Sequence, residues 1–74
     1  MKIGIIVAMD KEFAQLKTLL DQPTVERQGR REFVIGRMGD NEVILQKCGI
    51  GKVNSAVGAV MLIDSYRPDL IIST

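Results

Sequence analysis

The chain has no histidine and no tryptophan, one cysteine (Cys48), two prolines, and two phenylalanines and one tyrosine as its only aromatic residues. Each scarcity excludes something. A lone thiol rules out an internal disulfide, and without histidine it leaves no ordinary structural zinc set. Catalytic cysteines commonly need a histidine base, so Cys48 reads as a small buried thiol rather than a nucleophile. No apolar run approaches the roughly 20 residues needed to span a membrane. The opening Met1 to Ile6 has one lysine before its apolar stretch. That stretch is too short for a signal-peptide core, lacks a small-residue cleavage pattern, and is interrupted by Asp10, Lys11 and Glu12. The expectation is a reduced, cytoplasmic, soluble protein with no membrane partner.

Charge of one sign is also lacking. Lys and Arg number 10 against 9 Asp and Glu, a formal net charge of +1, which carries no polyanion signal. Arg27, Arg30, Arg31 and Arg37 cluster, but Glu26 and Glu32 interleave with them and Phe33 is the only aromatic nearby. A nucleic-acid surface calls for a stronger basic face, often with stacking aromatics, so this stretch reads as a hairpin facing water. At 74 residues the chain makes at most one small domain, and short chains bury a smaller share of their surface.

What is present centres on Lys2 to Glu12. A continuous apolar run, Ile3 to Ala8, ends directly at Asp10, Lys11 and Glu12. A short β-branched run that leads into a helix start describes a central parallel strand, and in open α/β sheets ligands sit outside the carboxyl ends of such strands. Glu12 is therefore the first candidate for chemistry. Acids in a first turn also offset the positive end of the helix dipole, so residue types alone leave both readings open.

Met9 to Leu20 reads as the first helix, with Met9, Phe13, Leu16 and Leu20 on one face and Leu19 beside them. At about 100° per residue Glu12 lies roughly 70° from the centre of that stripe, bordering the buried face, while Lys11 points to solvent. Asp21, Gln22 and Pro23 are expected to end the helix. Thr24 to Gln28 and Glu32 to Arg37 read as strands joined around Gly29 and Arg30, the second placing Phe33 and Ile35 on one face and Val34 and Gly36 on the other. A turn at Met38 to Asn41 leads to a third strand, Glu42 to Lys47, with Val43, Ile44 and Leu45 as its core. The three form an antiparallel meander. A long helix from about Val53 to Tyr66 is apolar around most of its circumference, including Val53, Ala56, Val57, Val60, Leu62 and Ile63, as expected of a helix buried on more than one side. Arg67 and Pro68 close it, and Asp69 to Thr74 begins a strand as apolar as the first. Such strands need helices on both faces and neighbours on both edges. Residues 1–74 are thus expected to be the N-terminal portion of a single larger α/β domain, incomplete and inactive alone.

Gly49-Ile50-Gly51-Lys52 falls between strand and helix, where phosphate loops occur. It lacks the earlier glycine and the following Ser or Thr of a Walker A loop, because Gln46 and Val53 hold those places, and Asn54 stands where a dinucleotide fingerprint has its third glycine. What remains is a turn open to close backbone approach by a ligand, with Ile50 as an apolar finger, or simply a tight strand-to-helix turn.

Together, Met1 to Ile6, Ala8-Met9, Glu12, Gly49 to Val53 and Arg67-Pro68-Asp69 resemble the N-terminus of bacterial 5′-methylthioadenosine/S-adenosylhomocysteine nucleosidases, within the nucleoside phosphorylase superfamily. The resemblance implies the N-terminal part of a three-layer, mixed-sheet α/β domain. It implies hydrolysis of the bond between adenine and a 5′-thio-substituted ribose, releasing adenine in methionine salvage, with no metal and no cofactor. Glu12 matches the acid that activates the attacking water, Met9 and Ile50 match the lining of the 5′-alkylthio pocket, and Ala8 lies near the ribose. The family's adenine-protonating aspartate and ribose-binding pair lie downstream of these residues. Family members form homodimers, to which the helix Val53 to Tyr66 is the expected contribution here. Val7, Asp10, Lys11 and Cys48 depart from the family's usual residues without touching the matched positions. A related futalosine hydrolase, a nucleoside phosphorylase and a non-catalytic nucleoside-binding module are the alternatives. Glycosidic cleavage through an oxocarbenium-like sugar calls for one carboxylate to activate water and an acid to protonate the departing base. An acid at the first strand-to-helix junction repels phosphate and favours water.

Overall fold

The structure is a computed structural model that describes residues 1–29, 31–47 and 52–73, with backbone only for 52–56. The expectations placed on Arg30, Cys48, Gly49, Ile50, Gly51 and Thr74, and on the side chains of Val53 and Ala56, lie outside the described residues. The elements are β1 (Lys2–Val7), α1 (Asp10–Thr18), β2 (Asp21–Gln28), β3 (Arg31–Met38), β4 (Asn41–Lys47), α2 (Lys52–Tyr66) and β5 (Leu70–Ser73).

They build one five-stranded sheet in the order β2-β3-β4-β1-β5. The apolar run of β1 takes an inner position, parallel to β4 on one side and to β5 on the other. β2, β3 and β4 form the antiparallel meander expected from their turn residues. Gly29 and Gly39 both have positive φ, 62° and 64°, a conformation that a side chain would strain.

Strand alternation divides the core into two layers. On one face Ile6, Phe33 and Ile44 pack with Leu62 of α2; on the other Val34, Val43 and Leu45 pack with Leu20, and with Phe13 and Leu16 of α1. The sheet therefore lies between the two helices, a three-layer mixed α/β arrangement. Where α2 crosses β1, a Cβ on Gly4 would lie 2.5 Å from Leu62 Cδ2. Only glycine lets the helix sit this close. The amino end of β1 is pinned by a reciprocal pair: the Lys2 amide donates to Asp69 Oδ2 at 2.8 Å and the Asp69 amide to the Lys2 carbonyl at 2.7 Å.

Two expectations change. The first helix ends at Thr18, with Leu19 as C-cap, and not at Leu20. Leu20 leaves the helix to pack against Gly36, and Asp21 already pairs with Arg37 across the sheet, so strand pairing wins over the last helical turn. The proline falls inside the edge strand, within a register irregularity between Asp21 and Thr24 in which Gln22 has φ 50°. An edge is where a strand tolerates a missing donor. Among the described side chains of α2, Gly58 and Leu62 are buried against the sheet, whereas Val57, Val60 and Ile63 are exposed within these residues. Its C-terminus closes as expected at Arg67, in the left-handed region at φ 49°, followed by Pro68.

Candidate functional site at the carboxyl edge of the sheet

Because β1, β4 and β5 are parallel, their carboxyl ends share one edge. Val7 lies opposite Lys47, and Ile6 lies opposite both Gln46 and Ser73. From that edge the chain leaves β1 towards α1 on one face and leaves β4 towards α2 on the other. Adjacent parallel strands whose helices diverge to opposite faces make a switch point, where open α/β sheets bind ligands.

Ala8 and Met9 bridge β1 to α1. Ala8 is half-buried against the Ile6, Phe33, Ile44 and Leu62 cluster, while Met9 is 60% exposed. Met9 is the N-cap of α1, extended at φ −100° and ψ 134°, and its side chain makes no capping hydrogen bond. Its carbonyl accepts the first helical bond, from the Phe13 amide at 3.0 Å. Glu12 is half-buried in the first turn and Lys11 is exposed, as the helical geometry requires. The Glu12 carboxylate has no hydrogen-bond or ion-pair partner among the described residues. The fourth position singled out from the sequence, Ile50, lies outside the described residues. Ala8, Met9 and Glu12 thus stand along one edge as a wall, and the described residues enclose no cavity.

Two polar contacts at this edge escaped the sequence reading. Lys47, at the end of β4, forms an ion pair with Asp10, the first residue of α1. The signal was latent in an acidic first turn near a lysine that ends a strand, but only the register of β1 with β4 brings them together. Gln46 is fully buried one residue earlier. With its amide oriented to suit both neighbours, it donates to the Gly58 carbonyl at 2.9 Å and accepts from Arg31 Nη1 at 3.2 Å. A Cβ on Gly58 would lie 2.8 Å from the end of the Gln46 side-chain amide, so the glycine makes room for this bridge between β3, β4 and α2.

Residues 2–74 match the family described as the phosphorylase superfamily. Among similar curated proteins, the 5′-methylthioadenosine/S-adenosylhomocysteine nucleosidase of Maridesulfovibrio salexigens is 50% identical over 74 residues, covering 100% of this chain and 32% of that protein. The protein of the same name from Bacillus subtilis is 40% identical over the same shares. The structure of the S. pneumoniae nucleosidase with a transition-state inhibitor superposes with a TM-score of 0.93 at 38% identity, covering 99% of this chain and 32% of that one. The Neisseria meningitidis nucleosidase in complex with methylthio-immucillin-A gives 0.94 at 29% identity, covering 99% and 32%. The chain spans about a third, 32%, of the length of the curated relatives it matches. The doubly flanked mixed sheet, the strand order and the family match over nearly every residue agree, and the chain belongs to the phosphorylase superfamily.

Proposed function

We propose that these residues are the N-terminal portion of a nucleosidase that hydrolyses the N-glycosidic bond of 5′-methylthioadenosine and S-adenosylhomocysteine. The observation that carries the reading is the similarity to nucleosidases along the whole chain, together with Glu12 in the first turn after the inner strand β1. The reaction releases adenine and fits a role in methionine salvage in the cytoplasm.

The chemistry follows from charge development. As the glycosidic bond stretches, positive charge builds on the sugar and negative charge on the departing base. A carboxylate that orients a water and accepts its proton supplies the nucleophile on one side, and an acid on the other protonates the base. Glu12 fills the first role: it is half-buried and sits at the edge where open α/β sheets bind ligands. Ala8 borders the ribose, and Met9 and Ile50 line the space for the 5′-thio substituent. The protonating acid and the ribose-binding groups come from the portion of the enzyme beyond these residues. The exposed stripe of Val57, Val60 and Ile63 on α2 supports a homodimer, whose interface or the remainder of the domain covers it.

Adenine release from methylthioadenosine by the full-length protein tests the reading. Release without phosphate is expected, and strict dependence on added phosphate replaces the hydrolase with a phosphorylase. Glu12→Gln should lower kcat by about 10²-fold or more while leaving substrate binding nearly intact. A near-normal rate would return Glu12 to a helix-dipole role.

A further inference from the structure

The first turn of α1 has weak means of holding its place. The helix is 9 residues long with no fully buried residue, and its N-cap side chain makes no capping bond. A helix this short is marginal without tertiary contacts, and those of α1 come from Phe13 and Leu16, further along it. At the first turn the Asp10–Lys47 ion pair is the one side-chain hydrogen bond or ion pair to the sheet among the described residues. It ties the residue that opens α1 to the residue that ends β4, across the inner pair of parallel strands.

We propose that Asp10 and Lys47 are positioning residues, which fix the first turn of α1 against the end of β4 and so hold the Glu12 carboxylate in line for its water. The inference rests on the reading of Glu12 as general base. Glu12 is two residues from Asp10 on a helix with 3.6 residues per turn, so a tilt or fraying of the first turn displaces both together. A carboxylate displaced by about 1 Å loses a large part of its effect on a bound nucleophile.

Asp10 and Lys47 are both well exposed, so the coupling is that of a surface pair and the effect is modest. In the full-length protein, Asp10→Asn and Lys47→Met should each lower kcat roughly three- to five-fold with KM changed less than about two-fold. The double substitution should fall no further than the worse single, and Asp10→Glu should recover most of the rate. Glu12→Gln is measured alongside, with thermal melts of every variant. Unchanged kcat in both singles, multiplicative losses in the double, or losses that track the melting temperature and appear in KM would overturn the proposal while a large Glu12→Gln defect leaves the base in place. A near-normal Glu12→Gln removes the base assignment itself, and with it anything for the pair to position.

Discussion

The close approach of Gly4 of β1 to Leu62 of α2 sets a quantitative test of the packing that places the site. A methyl group at Gly4 would lie 2.5 Å from Leu62 Cδ2, 3.3 Å from Leu62 Cγ and 3.4 Å from Pro68 Cγ. Carbon atoms in contact prefer about 3.5 to 4.0 Å, so Leu62 must retreat by about 1 Å. It has nowhere to go, because it is fully buried among Ile6, Phe33 and Ile44. Overpacking of this kind costs about 1 to 3 kcal/mol, against which the stiffer unfolded chain of an alanine returns about 0.4 to 1 kcal/mol. Gly4→Ala should therefore destabilise by about 0 to 2.6 kcal/mol net, and Leu62→Ala, which leaves a cavity, by about 2 to 5 kcal/mol. In the double variant the new methyl occupies the space that Leu62 vacates. Its loss should fall short of the sum of the singles by at least about 1 kcal/mol, well beyond the 0.3 to 0.5 kcal/mol within which independent sites add. Urea unfolding of the four proteins measures this, provided the slope of free energy against denaturant stays constant. Additive losses, or a Gly4→Ala protein more stable than the original, would refute the close packing of α2 on β1.

Gly58→Ala places two effects in opposition: alanine favours the helix by about 1 kcal/mol, but its methyl displaces the Gln46 amide, and an unsatisfied buried amide costs about 1 to 3 kcal/mol. The substitution should destabilise the protein as it stands and become neutral or stabilising in a Gln46→Ala background, as read from urea midpoints. Tyr66 packs its ring on Phe33 with centroids 5.2 Å apart and donates its hydroxyl to Glu26 at 3.0 Å. Burial first, then the hydrogen bond and charge of Glu26, push its pKa from 10.0 up to about 12. The folded protein favours the protonated phenol, so this stabilisation is complete below pH 10 and is lost as pH rises from 10 towards 12. Tyr66→Phe should flatten that alkaline decline in the melting temperature, and an unchanged decline would place its cause elsewhere.

The elements that periodicity located well were those whose neighbours are nearly all in this chain. β1 and β4 carry unbroken apolar cores because helices cover both faces, and the meander announced itself through Gly29 and Gly39, where positive φ leaves few alternatives. The end of α1 was less legible because Leu20 satisfies two patterns at once. It continues the spacing of Phe13 and Leu16, and it is also the residue that must turn under Gly36 for Asp21 to join the sheet. Helical spacing carries no information on that competition. Helix α2 shows only part of what its composition implies. An all-round apolar composition says that two faces will be covered, but within these residues only the Gly58 and Leu62 face finds its partner.

The same distinction separates the two kinds of residue at the carboxyl edge. The position of Glu12 at the border of the buried face was legible because its argument is local: a strand, a junction and about one turn of helix set it relative to the apolar stripe. Asp10 and Lys47 are 37 positions apart (47 − 10), and their meeting depends on β4 reaching β1 through a three-stranded excursion and pairing in the register that sets Lys47 opposite Val7. A slip of one residue in that pairing would send the Lys47 side chain to the other face of the sheet and Gln46 out of its bridge to Gly58. The register is held by Val43 and Leu45 on one face and Ile44 on the other, each fully or almost fully buried. The packing that stabilises the sheet thus also selects which charge stands beside the first turn of α1, and the placement of Glu12 follows from the core.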